Sequence, residues 1–180
     1  MTTTRREFMQ TSAGATAAIA AGALSPLGMA MRSFGAEKAA KPLNLLILGG
    51  TGFLGPAIVE AATARGHTMT LFNRGRTNTH LFPDLEKLQG DRDGDLEALK
   101  GRDWDAVIDT SGYVPRLVRD SAELLADHCK HYTFISTISV YASAPEPGLD
   151  ESDPVGTLED PTVEEVTGQT YGPLKALCEQ

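Results

Sequence analysis

Four apolar residues stand together at Leu45-Leu46-Ile47-Leu48. A short continuous run of this kind suits a strand buried on both faces of a parallel sheet. A glycine-rich loop follows, and Ala57-Ile58-Val59-Glu60-Ala61-Ala62 begins a helix expected to end near Gly66. A second strand is predicted over 68–72 and a weaker third over 85–89, then a short helix over 95–100. Asp105-Ala106-Val107-Ile108-Asp109 reads as a fourth strand, 117–129 as a helix with Val118, Leu124 and Leu125 among its apolar positions, and Tyr132-Thr133-Phe134-Ile135-Ser136 as a fifth strand. Residues 142–167 form a Pro/Glu/Asp-rich connection without a clear period, and a last helix runs from about Tyr171 to the terminus. Strands alternating with helices predict an α/β fold on a doubly wound parallel sheet.

The N-terminal residues follow a different pattern. Arg5-Arg6 precedes Phe8, and a mildly apolar, Ala/Gly-rich run extends from Thr11 to Ala30. Positive residues ahead of such a run have the layout of a signal peptide, and the paired arginines resemble the twin-arginine export signal. The expected division is a signal peptide over 1–30, a linker over 31–42 and a nucleotide-binding domain over 43–180. This places the folded part in the periplasm or outside the cell, with the twin-arginine export machinery as a partner. Gly, Ser and Pro26 make the run a poor membrane-spanning helix, which disfavours an uncleaved anchor.

Charge and cysteine content narrow the classes. The 180-residue chain carries a net charge of -8, which argues against general affinity for nucleic acid or anionic membrane. Cys129 and Cys178 do not make a disulfide framework, and the spacing of His128, Cys129 and His131 matches no zinc pattern. No metal site is expected.

The candidate chemistry begins in the loop after the first strand. Gly49, Gly52 and Gly55 are spaced three apart within Gly49-Gly50-Thr51-Gly52-Phe53-Leu54-Gly55. Glycines there allow a tight turn and bring backbone amides close to a pyrophosphate, with the next helix aiming its N-terminal N–H groups at the same charge. A Rossmann-like dinucleotide site is therefore expected. At the end of the second strand, an acid would bind a ribose 2′-hydroxyl and favour NAD. Here Asn73 takes that place, and Arg74, with Arg76 as a second candidate, can pair with a 2′-phosphate. The expected cofactor is NADP, with NAD as the alternative. Asp91 can accept a hydrogen bond from the adenine amino group. Thr110-Ser111-Gly112 offers small side chains where the cofactor passes after the fourth strand.

Tyr171 and Lys175 lie four apart, on one face of the last helix. A phenol is a poor base at neutral pH, and an ammonium beside a phenol favours its ionised form. Lys175 can also bond the nicotinamide ribose. A hydroxyl to steady the substrate oxygen is available in Ser136-Thr137-Ile138-Ser139-Val140-Tyr141.

Together these motifs resemble the extended short-chain dehydrogenase/reductase family, in its NAD(P)-dependent epimerase/dehydratase group. Gly49-Gly50-Thr51-Gly52-Phe53-Leu54-Gly55 looks like the family's glycine signature, and Phe134-Ile135-Ser136-Thr137-Ile138-Ser139-Val140-Tyr141 like its fifth-strand motif. The likeness covers about residues 43–180. It implies that Thr137, Tyr171 and Lys175 are the catalytic set, that Tyr171 takes a proton from a substrate hydroxyl while the cofactor takes hydride from the same carbon, and that the substrate is a sugar nucleotide. Dehydratases of the group carry an acid/base pair just after the threonine. Ile138 and Ser139 occupy those positions here, which leaves epimerase or reductase. The resemblance also implies a homodimer formed through the helices near 117–129 and 171–180. Only five residues follow Lys175, whereas members of the family continue well beyond this point with a sixth strand and a substrate-gripping region. The sequence therefore reads as an N-terminal fragment whose sheet is incomplete on its C-terminal side. The competing expectation is an NADP-binding protein without catalysis.

Overall fold

The computed structural model describes residues 37–142 and 147–180. The expected export signal over 1–30 lies outside them. Five parallel strands form one sheet in the order β3-β2-β1-β4-β5: β1 Asn44–Leu48, β2 Thr68–Asn73, β3 Glu86–Gln89, β4 Ala106–Asp109 and β5 Tyr132–Phe134. β1 is central, with Leu45 beside both Met69 and Ala106. Its side chains alternate between two cores. Leu46 and Leu48 join Phe72, Leu99, Trp104, Val107 and Leu125 on one face, while Leu45 and Ile47 join Val59, Ala62, Met69 and Leu71 on the other. Covering both faces explains why β1 is apolar without interruption. β3 is the mostly exposed edge, consistent with its weak apolar signal.

Helix α1, Gly55–Ala64, starts two residues earlier than its apolar pattern suggests, because Pro56 fits the first turn of a helix. It ends at Gly66, which has φ +83°. Gly66 N–H donates to Thr63 O (2.9 Å) and His67 N–H to Ala62 O (3.1 Å), a Schellman ending. The helix expected over 95–100 is only a 3₁₀ turn, Glu97–Leu99, since so few residues cannot offset helix nucleation. Helix α2 spans Pro115–Leu125 and stops short of Cys129. The chain turns there so that the His128 carbonyl accepts from Trp104 N–H at 2.9 Å. β5 closes at Phe134 rather than Ser136 because β4, its only partner among the described residues, ends at Asp109.

The connection after β5 passes through a 3₁₀ turn, Ile138–Val140. It pairs back on itself where Tyr141 bridges Val155, and it reaches helix α3, Tyr171–Leu177. Among the described residues no helix is long and apolar enough to cross a membrane.

Candidate active site

The glycine loop is shaped by what a side chain would meet. Gly49 has φ +94°, and a Cβ on it would stand 2.7 Å from Thr110 Oγ1. A Cβ on Gly55 would lie 2.4 Å from the Gly49 carbonyl oxygen, so the third glycine lets α1 seat directly on the loop. Gly50 packs against Leu71. A Cβ on Gly52 would meet nothing within 4 Å, so this glycine faces open space, where a pyrophosphate could approach the backbone. Phe53 beside it has φ +46° and is 93% exposed.

A cleft of about 350 Å³ opens above this loop. Gly49, Thr51, Gly52, Phe53, Asn73, Arg74, Arg76, Asp91, Thr110 and Ser111 line it, and Gly50, Leu54, Gly55 and Gly112 stand behind or beside that lining. Thr51 donates its hydroxyl to Asn73 Oδ1 at 3.1 Å. Asn73 therefore braces the glycine loop, and the exposed Arg74 and Arg76 are the cations at that end. Asp91 sits in a short turn that accepts Asp93 N–H on its carboxylate. Thr110 donates to Leu48 O at 2.9 Å, fastening the end of β4 to the end of β1.

Tyr113 also lines the cleft, and behind it stands Lys175, which is buried. Its ammonium donates to Gly112 O (2.8 Å) and Ile135 O (2.6 Å), tying together the segments that leave β4 and β5. It also stands 3.9 Å from the Phe134 ring centroid and 5.7 Å from that of Tyr113. Burial pulls the Lys175 pKa below the ordinary lysine value. The Tyr113 and Tyr171 ring centroids are 6.2 Å apart. Tyr113 lines the cleft, so Tyr171 borders it through Tyr113. Thr137 caps the turn after β5, accepting Ser139 N–H at 3.2 Å. Helix α3 lies against that turn, where a Cβ on Gly172 would stand 2.0 Å from Ser139 O. All of these groups gather at the carboxyl ends of the strands, where ligands bind in open α/β sheets.

A buried polar network beneath the cleft has no counterpart in the sequence expectations. Arg92 Nη1 donates to Asp109 Oδ1 at 2.7 Å, and Arg92 Nη2 to Ser121 Oγ at 2.5 Å. Tyr132 donates its phenol to Asp109 Oδ2 (2.9 Å), and Ser111 N–H donates to Asp109 Oδ1 (3.1 Å). Burial and the neighbouring Asp109 carboxylate push the Tyr132 phenol well above its usual pKa. Tyr113, half exposed directly after Gly112, was missed in the same way. The only signal for it is an aromatic residue at the carboxyl end of a strand. Among the described residues no group of three His, Cys, Asp or Glu side chains could hold a metal ion.

Residues 45–164 match the NAD dependent epimerase/dehydratase family, and the chain belongs to that family. No curated protein matches it. Among solved structures, it is similar to the Bordetella bronchiseptica enzyme WbmG in complex with NAD, at 15% identity and TM-score 0.59, covering 78% of this chain and 49% of that one. It is similar to a UDP-galactose 4-epimerase at 18% identity and TM-score 0.60, covering 76% and 49%. A third likeness is to the dTDP-glucose 4,6-dehydratase of Bacillus anthracis in complex with NAD, at 20% identity and TM-score 0.56, covering 76% and 48%. At these identities the likeness is one of fold. The chain spans about half the length of the solved structures it matches.

Proposed function

We propose that this chain binds NADP, with NAD as the alternative, and carries the cofactor half of an epimerase or reductase acting on a sugar-nucleotide-like substrate. The observation that carries this reading is the single edge on which the open Gly52 backbone, the exposed Arg74 and the Tyr171/Lys175 pair all stand. The cofactor, when bound, supplies hydride transfer. The residues of the chain do the rest. The loop amides around Gly52 hold the pyrophosphate, Arg74 pairs with the 2′-phosphate, and Asp91 accepts from the adenine amino group. Tyr171 takes a proton from the substrate hydroxyl at its phenolic oxygen. Thr137 hydrogen-bonds that substrate oxygen. Lys175 places a positive charge beside the phenol and reaches the nicotinamide ribose. Its two hydrogen bonds go to backbone carbonyls, the observation that favours a second reading, cofactor binding without turnover.

One experiment separates the two. NADPH binding to the full chain is followed by quenching of protein fluorescence, and turnover is then assayed with UDP-glucose and UDP-galactose. The catalytic reading expects turnover that falls roughly 10²–10⁴-fold in Tyr171→Phe. Binding without turnover in the full-length gene product supports the second reading, and no binding overturns both. Arg74→Ala is expected to weaken NADP by about tenfold or more while sparing NAD, the scale of a charge-assisted hydrogen bond. Equal NADP affinity in both proteins counts against the NADP preference. We also propose that the twin-arginine segment exports the domain already folded around its cofactor. Retention of the chain in the cytoplasm, unchanged by Arg5→Lys/Arg6→Lys, would contradict this.

A further inference from the structure

We propose that Tyr113 is a cofactor-facing residue that packs its ring on the nicotinamide and favours the oxidised form. This deepens the cofactor reading above and rests on it. Three observations converge. Tyr113 lines the same cleft as Gly49, Thr51, Thr110 and Ser111. It follows β4, two strands along the sheet from β2 and the Arg74 after it, with its ring 6.2 Å from that of Tyr171 and 5.7 Å from the Lys175 ammonium. And 42% of the residue is exposed, so part of its ring remains free for a ligand. A dinucleotide whose adenosine lies by Arg74 and whose pyrophosphate lies on Gly52 must direct its other ring toward Tyr171, and Tyr113 borders that path.

An aromatic face attracts a cation through its quadrupole. The oxidised nicotinamide ring is positively charged and the reduced ring is neutral. A tyrosine face therefore holds the oxidised cofactor more tightly than the reduced one, and this biases the bound couple toward giving up hydride rather than accepting it. Tyr113 acts in this role without exchanging a proton, which distinguishes it from Tyr171.

The test uses binding rather than turnover. Calorimetric titrations of the full chain compare NADP+, NADPH and 2′-phospho-ADP-ribose, which lacks the nicotinamide. Tyr113→Ala is expected to weaken NADP+ by about tenfold, NADPH less, and 2′-phospho-ADP-ribose not at all. Tyr113→Phe, which keeps the π-face, is expected to match wild type. Tyr113→Leu keeps bulk without the face and is expected to behave like alanine toward NADP+, so a poorly folded alanine variant does not end the test. Equal losses for all three ligands, or wild-type NADP+ affinity in Tyr113→Leu, overturn the inference while leaving cofactor binding intact. Failure of the wild-type chain to bind any of the three overturns the cofactor reading itself.

Discussion

Arg92 and Arg116 both pair with carboxylates, and they do so in opposite settings. Arg92 is buried beneath the cleft, where Asp109, Ser121 and Tyr132 bring β4, β5 and α2 together around it. Arg116 is partly exposed at the start of α2. It holds Glu164 with two hydrogen bonds of 2.7 and 2.9 Å and Asp93 with a third of 3.0 Å. The first region fixes the floor of the site. The second pins the 160–165 stretch of the long connection to the body of the domain. The same ionic chemistry therefore has unequal consequences, because removing one member of a buried pair leaves its partner charged in a low-dielectric interior, whereas a surface cation regains water.

The largest expected effect tests the buried side. Asp109→Ala should destabilise the chain by about 3–5 kcal/mol in urea unfolding, and the double replacement Arg92→Leu/Asp109→Leu should cost clearly less than Asp109→Ala alone. A double variant as unstable as the single one would break the distinction. Next comes Gly55→Ala. Its methyl would enter the space held by the Gly49 carbonyl oxygen. An expected loss of about 1–3 kcal/mol should come with weaker NADPH binding, read by fluorescence titration.

Lys175 supplies a pH test of the same buried region. Its pKa is lower in the folded chain than in the unfolded one, so the unfolded chain binds more protons between the two values. Stability should rise with pH from the folded value up to 10.5, and that rise should be absent in Lys175→Met. Matching pH profiles for the two proteins would refute the buried-charge account.

The smallest effects belong to the exposed side. Arg116→Ala should change the urea-unfolding midpoint only slightly, and less at high salt. It should still speed amide hydrogen exchange over 160–167. Arg116 holds the Glu164 carboxyl below the ordinary glutamate value of 4.5. That contribution is present above pH 4.5 and fades as pH falls through the folded pKa, so acid should loosen the same amides in wild type but not in Glu164→Gln.

What could be read from the sequence follows from range. The strands, the end of α1 at Gly66 and the glycine loop depend on neighbours close in sequence, and their apolar runs and spacing announce them. The Tyr171/Lys175 pair was legible for the same reason, as two residues one helical turn apart. Arg92, Asp109, Ser121 and Tyr132 look like ordinary strand, turn and helix residues until the sheet order brings them together. The early end of α2 depends on the long-range bond from Trp104 N–H to the His128 carbonyl. Likewise, Asn73 reads locally as a substitute for an acid at the ribose, but its side chain is engaged by Thr51. Fold class was therefore accessible from pattern, while the packing that holds the site in place was not.

Gly172 rests on the Ser139 carbonyl with no side chain between them. The turn that carries Thr137 and the helix that carries Tyr171 are thus joined at a main-chain contact, which Gly156 supports by donating its N–H to Val140 O at 2.7 Å and packing against Pro173. The rest of the intervening stretch could lengthen or shorten while the seat of α3 on the turn after β5 stayed the same. A methyl group at position 172 would be a far greater disturbance than a whole inserted loop.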